Sequence, residues 1–591
     1  MMDPATLAVL LPLPFLTIAL MALVSRRGHN AWLAYAGLIA GVLTLVMVVG
    51  AWSSTAIRHM WAWFDVGGIS IAWTIIRDPL SLTIAALVGG IGAFVFLYSG
   101  GYLEKTEDLR RYYALLALFA SSMISAVIAG DLIQLLFSWE IVGVTSFLLI
   151  GFWHRKDTAV HAARKAFLTI IIGDAALLGG IIALAIRYAT TDILTILANA
   201  QPDTITLIAG IGILIGAMTK SAQFPFHDWL PDAMEGPTPV SAFLHSATMV
   251  KAGIFLVARM LPLLLLVGLG PWIVLLALIT MLLAAGIALV ETDIKRVLAY
   301  STMNHLGIKL LALGLGAGLA ALTHLLMHSI TNAMLFFAAG ILIHAAGTQD
   351  LTRMRFAWRS SAVVCAALGA LALAGVPPLA AALSKDAVLE AAIAANDPVL
   401  LVAFATALII GAAYLIRWVL LITAPTTGGD RMRAHADWRM RAPLPVLAAL
   451  AVGGGIALGW LHAHGVTAGF HLGWSALAAL CLAIIGGSLA YAATRATLLN
   501  RLAASPLAAA ARERFLVGGL YDLVARATNG AGTLLASFDD AVVNRSTHGV
   551  ANITLSAGRS LRRMVTGRAA TYALAIIIGA FLLLLLVRWS P

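Results

Sequence analysis

The sequence predicts an all-α polytopic membrane protein with about sixteen transmembrane helices. Hydrophobic residues make up 61% of the 591-residue chain and charged residues only 11%, which is more apolar surface than a soluble fold can bury. A membrane-spanning helix needs about 20 apolar residues. Windows of this kind lie at 5–24, 32–51, 80–100, 112–130, 132–153, 166–187, 204–222, 239–260, 271–291, 297–316, 318–345, 361–383, 399–423, 443–462, 474–494 and 570–588.

Basic residues indicate how these helices are oriented. The first window is longer than the apolar core of a signal peptide and lacks a following cleavage site, so we expect a retained helix. If the windows alternate in direction, one side of the membrane collects most loop Lys and Arg residues, among them Arg155, Lys156, Arg164, Lys165, Lys295 and Arg296. Cytoplasmic loops are the basic ones. We therefore expect both termini on the non-cytoplasmic side, and we attribute the net charge of +11 to topology and not to nucleic-acid binding.

The sequence offers no motif for a redox or nucleotide site. Cys365 and Cys481 stand far apart inside apolar windows, so no cysteine cluster exists to hold iron–sulfur or zinc. The glycines between Gly314 and Gly318 are typical of helix packing, and the chain has no P-loop. We expect no cofactor on this chain, so any work it does must be driven from elsewhere.

Three ionisable residues in apolar windows predict a buried charge site. Lys220 ends an apolar stretch, Glu140 lies in the middle of the fifth window, and Asp174 lies in the sixth. A charge at the centre of a bilayer costs at least about 2.5–3.5 kcal/mol and usually marks an ion path. We expect Lys220 to pair with Glu140, with Asp174 as a second partner. The alternative is an ion pair that only fixes helix register.

A second group of ionisable residues follows along the chain. His245 and Lys251 lie six residues apart in the eighth window, and His324 and His328 lie at i and i+4 on one face of the eleventh. Imidazole titrates at about pH 6.5, which suits a proton relay. The i, i+4 spacing also suits a metal pair, but no third ligand lies close in sequence. A hydrogen-bonded structural role is the alternative for each histidine.

Two helix breaks indicate an internal repeat. Pro225 follows Lys220, and Pro377 and Pro378 precede Lys385. Helix breaks inside a membrane are tolerated in protein or beside a water-filled cavity, and paired breaks mark internally repeated transporter folds. We predict two inverted five-helix repeats, at 112–260 and 271–423, with Lys385 closing the polar series.

Four further segments complete the predicted organisation. N-terminal membrane helices occupy 1–111, and additional membrane helices occupy 424–499. A segment at 500–568 has the pattern of an interfacial amphipathic helix, and 569–591 that of an anchor helix. Because Asn529 and Gly530 weaken a helix, we expect breaks in the amphipathic segment.

Three stretches of the chain resemble a known family. They are residues 131–143, 219–242 and 293–302. They are similar to the proton-translocating antiporter-like subunits of respiratory complex I, the NADH:quinone oxidoreductase, and the likeness covers nearly the whole chain. It is strongest to the distal subunit, which is itself similar to the large subunit of Mrp sodium/proton antiporters. The segment at 500–568 resembles the lateral helix of that subunit.

The resemblance implies a role for each polar side chain. It makes Glu140 and Lys220 the proton-uptake pair and His245 a connecting relay. It places the central axis and the exit lysine at His324, His328 and Lys385.

The sequence also departs from the family pattern. Asn332 stands where a lysine is usual, and residues 171–174 read Ile-Ile-Gly-Asp where an arginine often comes first. Lys251 matches the sister subunits better. Either the central charge has moved to another helix or this chain is a specialised paralogue.

The resemblance further implies an assembly. NADH, FMN, iron–sulfur clusters and quinone would be bound by partner subunits, and this chain would contact other membrane subunits within the lipid bilayer of a bacterial inner membrane. The alternatives are a subunit of an Mrp-like cation/proton antiporter, a subunit of an inorganic-carbon uptake complex, and a structural scaffold that does not pump.

Overall fold

Helices dominate the part of the chain that the structure describes. The computed structural model describes residues 4–25, 31–67, 69–104, 106, 108–424, 432, 434, 436–463, 474–495, 517–564 and 567–589. Its helices, in chain order, are α1 (Pro4–Leu10), α2 (Leu13–Val24), α3 (Trp32–Gly50), α4 (Pro79–Tyr102), α5 (Leu109–Ile128), α6 (Leu132–Ile150), α7 (Asp157–Tyr188), α8 (Ile193–Asn199), α9 (Thr204–Lys220), α10 (Trp229–Asp232), α11 (Thr238–Ser246), α12 (Met249–Arg259), α13 (Leu261–Leu266), α14 (Gly270–Val290), α15 (Ile294–Gly314), α16 (Gly318–Ala346), α17 (Ser361–Ala374), α18 (Ala380–Ala394), α19 (Pro398–Ile422), α20 (Trp438–Arg441), α21 (Pro443–Ala463), α22 (Trp474–Arg495), α23 (Val517–Phe538), α24 (Arg545–Met564) and α25 (Ala569–Trp589).

The helices have the length and composition of membrane spans. Within the described residues, twelve helical segments are at least 18 residues long and apolar enough to cross a bilayer, and α9 and α17 are shorter apolar helices. Helix is present in all sixteen predicted windows. The chain is therefore a multi-pass membrane protein, as the sequence predicts, while the exact number of spans and the two repeats stay predictions.

Helix breaks occur where the sequence predicts them and at one further place. α9 ends at Lys220, and residues 375–379 separate α17 from α18. The unpredicted break divides the eighth window into α11 and α12. There, the backbone N–H and the hydroxyl of Thr248 both donate to the carbonyl oxygen of Phe243, at 3.2 and 2.9 Å. His245 and Lys251 consequently lie on different helices and not on one.

Small residues bring the helices around Lys220 into close contact. A Cβ atom on Gly173 would lie only 1.9 Å from Thr219 Oγ1, and one on Gly253 only 2.1 Å from the carbonyl oxygen of Ala217. Small residues at membrane interfaces allow backbones to approach in this way. The C-terminal end of α9 is thus held tightly between α7 and α12.

The structure contains a β-hairpin that the sequence analysis did not predict. Strands β1 (Ile57–Val66) and β2 (Ile69–Arg77) pair antiparallel, with Trp61 opposite Trp73. The glycine pair at positions 67–68 between two short apolar runs is a hairpin signal. Counting windows of about 20 apolar residues cannot detect strands of this length.

The hairpin is hydrogen-bonded to the start of α6. The backbone N–H of Thr74 donates to Gln134 Oε1 at 3.0 Å, and its carbonyl oxygen accepts from Gly130 at 2.8 Å. Arg58 on β1 forms an ion pair with Asp192, 2.7 Å apart. These bonds attach the hairpin to the loops at the ends of α6 and α8.

The chain forms two compact units, Met1–Phe515 and Leu516–Pro591. In the second unit, α23 is followed by a π-helical stretch, Asp539–Asn544, and then by α24 and α25. The helix runs without interruption through Asn529 and Gly530, and the irregularity in the described part of the segment begins ten residues later, at Asp539. Residues 500–516 of the predicted segment lie outside the described residues.

Candidate functional site

Lys220 is fully buried at the C-terminal end of α9. Its ammonium donates a hydrogen bond to the backbone carbonyl of Trp139 on α6 and lies 4.1 Å from the centroid of that tryptophan's ring. The indole N–H of Trp139 donates to Asp174 Oδ1 at 2.6 Å. The ring face attracts the cation and its N–H holds the carboxylate. Trp139 therefore connects the lysine to the acid.

The direct ion pairs expected for Lys220 are not formed. No carboxylate oxygen of the described residues lies within 4.0 Å of its amine, because Trp139 occupies the adjacent space. Asp174 and Glu140 interact with it over a longer range, Asp174 more strongly. Glu140 is only half-buried and shares a face of α6 with the exposed Phe137 and Val144. Glu140 therefore lies at the outer surface of this site.

A second site lies where α12, α15 and α16 meet. Lys251 Nζ lies 2.8 Å from His328 Nδ1, and His305 Nδ1 lies 3.1 Å from His324 Nε2. Lys309 donates to the carbonyl oxygen of His305 at 2.8 Å. We call these five buried residues the central cluster. Every member carries a nitrogen that can bind a proton.

The sequence analysis missed two members of the central cluster, His305 and Lys309. Both lie inside the tenth apolar window, four residues apart, where an ionisable residue is as unusual as Lys220 is in the seventh. The signal was present in the sequence. They were overlooked because the motif that resembles the known family ends at Thr302.

Lys385 is on α18, next to the central cluster. The hydroxyl of Ser384 is 2.9 Å from His324 Nδ1, and the amine of Lys385 donates to the carbonyl oxygen of Leu373 in the last turn of α17. The last carbonyls of a helix lack intrahelical donors, and Pro377 and Pro378 carry no N–H to supply one. The predicted break thus creates the acceptor that holds the lysine.

His245 on α11 has no hydrogen bond from its ring to either site. It is fully buried, and its two ring nitrogens have no hydrogen-bond partner among the described residues. Its backbone carbonyl accepts from Asn332 Nδ2 at 3.2 Å, and the same amide reaches Thr302 Oγ1 at 3.2 Å. Asn332 therefore ties α11, α15 and α16 together and adds no charge.

The three imidazoles of the central cluster are close together, with ring centroids 4.8–6.0 Å apart for His305, His324 and His328. A metal site would require their nitrogens to converge on one point. Within the described residues, no group of three or more His, Cys, Asp or Glu side chains has that geometry. The arrangement is instead a series of hydrogen-bonded bases.

Charged residues also surround the loop that follows α9. Lys165 on α7 pairs with Asp228 and with Asp232, the latter at 3.0 Å. Lys295 at the start of α15 donates to the carbonyl oxygens of Met234 and Gly236, the latter at 2.8 Å. These contacts hold the loop that follows α9 from two sides. The sequence analysis did not predict them.

The fold and the row of buried bases define an antiporter-like membrane protein, and comparisons with known families agree. The family described as NADH:quinone oxidoreductase/Mrp antiporter, TM, matches residues 129–411. The family described as NADH-Ubiquinone oxidoreductase (complex I), chain 5 N-terminus, matches residues 63–113.

Individual relatives give the same result. NADH-quinone oxidoreductase subunit L of Mycobacterium tuberculosis is 34% identical over 97% of this chain and 96% of its own length. The chloroplastic NAD(P)H-quinone oxidoreductase subunit 5 of Coffea arabica is 39% identical over 60% of this chain, and the match spans 51% of the relative, or about half its length. The chain belongs to the family of antiporter-like membrane subunits that NADH:quinone oxidoreductases share with Mrp antiporters.

Solved structures share the fold. The Mrp complex from Dietzia sp. superposes with a TM-score of 0.76 at 25% identity, over 99% of this chain and 63% of the other. The membrane-bound sulfane sulfur reductase, an archaeal respiratory membrane complex, gives a TM-score of 0.69 at 20% identity, over 83% of this chain and 99% of the other. The second likeness is one of fold alone.

Proposed function

We propose that this chain is the proton-translocating membrane subunit of an assembly of the NADH:quinone oxidoreductase type. The observation that carries the proposal is the series of proton-binding side chains that begins at the half-buried Glu140, continues with the buried Lys220 and ends at the buried Lys385. Buried ionisable residues inside a membrane are costly and mark ion paths. A scaffold does not need so many of them.

The first step of the proposed mechanism occurs at Lys220. A change of charge beside the half-buried Glu140 alters the attraction between the carboxylates and the buried amine. With Asp174 held by Trp139, the lysine gains or loses its proton while the surrounding helices keep their positions. Glu140 is thus the group through which a neighbouring subunit acts on Lys220.

Later steps carry the proton through the bases. His245, with two ring nitrogens that have no partner among the described residues, relays it from Lys220 towards Lys251. From the central cluster the proton passes by His324 and Ser384 to Lys385. Imidazole suits such a relay because one nitrogen can accept while the other donates.

The energy for this movement comes from other subunits in our proposal. NADH, FMN, iron–sulfur clusters and quinone are bound by partners, and this chain carries none of them. The protein lies in a bacterial inner membrane with both termini on the non-cytoplasmic side, consistent with the loop charges. Residues 112–260 and 271–423 are the two antiporter-like repeats, residues 500–568 the lateral segment and 569–591 the anchor.

A second candidate function is a subunit of an Mrp-like cation/proton antiporter. The superposition on the Mrp complex over 99% of this chain favours it. The two functions share the proton path and differ in their partners and in the second ion. Sodium-dependent transport without NADH oxidation would identify the antiporter.

Replacing buried lysines tests the proposal. Lys220→Met and Lys385→Met keep the length of the side chain and remove its proton-binding amine. Each change should lower the number of protons moved per NADH oxidised by about ten-fold or more, measured with the purified assembly in sealed vesicles. Lys156→Met, at an exposed loop lysine, is the matched control and should pump normally. Intact pumping in both buried variants would contradict the proposal.

A further inference from the structure

Lys309 and His305 belong to the central cluster, but the mechanism proposed above gives neither of them a step of its own. Both are on α15 and almost fully buried. Lys309 donates to the carbonyl oxygen of His305 at 2.8 Å, and it interacts electrostatically with Lys251 on α12, whose amine lies 2.8 Å from His328 Nδ1. Two lysines from different helices therefore meet inside the membrane.

Basic side chains from four helices lie near this lysine pair. α11 contributes His245, α15 contributes His305, α16 contributes His324 and His328, and α18 contributes Lys385. No carboxylate oxygen of the described residues lies within 4.0 Å of either lysine of the pair. Two buried ammonium ions in contact would repel each other strongly in this medium of low polarity.

Hydrogen bonding also argues against two charged lysines in contact. An ammonium group has three donors and no acceptor, so two charged lysines cannot bond to each other. A neutral amine has a lone pair that accepts a hydrogen bond. The contact between Lys251 and Lys309 is favourable only when one of the two amines is neutral.

We propose that Lys251 and Lys309 form one site that holds a single proton between two amines, and that His305 connects this site to His324. The inference rests on the proton-translocating function proposed above. A proton that arrives at Lys251 can move to Lys309 and back, and it can leave through His328, whose Nδ1 lies 2.8 Å from the Lys251 amine and whose ring centroid lies 4.8 Å from that of His305. His305 then leads to His324 across 3.1 Å.

This one-proton site makes a prediction that separates it from a structural role. Arg keeps the positive charge and the hydrogen-bond donors of lysine but does not release its proton in proteins. In Lys309→Arg, the permanent charge prevents Lys251 from binding a proton, so transport should fall about ten-fold or more below that of Lys309→Met. If Lys309 only anchors α15 by its charge and donors, the arginine variant should be the better of the two.

The experiment measures protons moved per NADH oxidised in vesicles that contain the complete assembly. Lys309→Met should keep part of the activity because Lys251 remains, and the double variant Lys251→Met/Lys309→Met should lose it. His305→Gln should lower transport through loss of the link to His324. If Lys309→Arg does not assemble, the mirrored pair Lys251→Arg and Lys251→Met, with Lys309 retained, makes the same comparison.

The outcomes distinguish this inference from the proposed function. Loss of pumping in Lys220→Met, together with equal pumping by Lys309→Arg and Lys309→Met, would overturn the one-proton site and leave the proton path in place. Normal pumping in Lys220→Met would overturn the path itself. We expect Lys309→Arg to move fewer protons per NADH oxidised than Lys309→Met. Mass spectrometry should show the normal subunit content in both assemblies.

Discussion

The two buried lysine sites of this protein differ in what surrounds the amine. Around Lys220 the neighbours are an aromatic ring and two carboxylates, with Trp139 joining the amine to Asp174. Around Lys251 and Lys309 the neighbours are histidines and one another. Both sites are buried, both lie beside helix ends, and only the first contains acids.

In the proposed mechanism, the difference gives two ways to keep a proton mobile in a membrane. Carboxylates near Lys220 stabilise its charged form, so a change at Glu140 can act on the proton from outside. In the central cluster, the repulsion between bases limits how many protons can be present at once. In our proposal the first site responds to charge from a neighbouring subunit, and the second limits the number of protons that it holds.

The largest effect should follow from removing the acid of the first site. Asp174→Leu leaves the buried Lys220 without its stronger anionic partner and Trp139 Nε1 without its acceptor. We expect proton transport to fall about 100-fold, because Lys220 loses the carboxylate that most stabilises its charged form. Vesicle pumping assays measure this. Asp174→Asn, which keeps an acceptor for the indole, separates hydrogen bond from charge: if it pumps normally, the carboxylate charge is not needed.

A moderate effect should follow from adding an acid to the second site. His328→Glu places a carboxylate beside Lys251, whose amine lies 2.8 Å from the present imidazole nitrogen. The new ion pair would hold the proton on Lys251, and we expect turnover to fall about ten-fold with assembly retained. His328→Gln is the neutral control. Equal activity of the Glu and Gln variants would show that the contrast between the two sites has no functional meaning.

The smallest effect should occur at an ion pair outside the bilayer. Asp203 caps α9, and hydrogen bonds from the Thr206 backbone N–H and from Arg187 lower its pKa to about 2. Because the folded pKa lies below the usual value of 3.8, the stabilising effect of its charge is present above pH 3.8 and disappears only as the pH falls towards 2. Asp203→Asn should therefore leave the pH profile of pumping between pH 6 and 8 unchanged. A shifted profile would mean that charge at the membrane rim contributes to the path.

Much of the fold could be predicted from the sequence because a bilayer allows few solutions. Long apolar windows, the prolines beside Lys220 and Lys385, and the surrounding family motifs were sufficient for the helices and for two breaks. The break at Thr248 and the β-hairpin were missed because neither changes the apolar content of a window. Both depend on local backbone hydrogen bonds.

The candidate site could be predicted in its residues and not in its pairings. Glu140, Lys220 and Asp174 do lie together, but the expected direct pair between Lys220 and Glu140 is not formed. Instead Trp139, which precedes Glu140 in the sequence, contacts both Lys220 and Asp174. Which side chain stands between two charges depends on how α6, α7 and α9 pack. To predict His305 and Lys309 as site residues, it would have been enough to consider every ionisable residue in an apolar window, independently of the known motif.

The attachment of the β-hairpin has a mechanical consequence. Backbone and side-chain bonds join β2 to the first turn of α6, the helix that carries Trp139 two turns further on. The hairpin also presents the exposed rings of Trp61, Trp63 and Trp73. A force applied to the hairpin would therefore be transmitted through these bonds to α6, the helix whose Trp139 contacts Lys220.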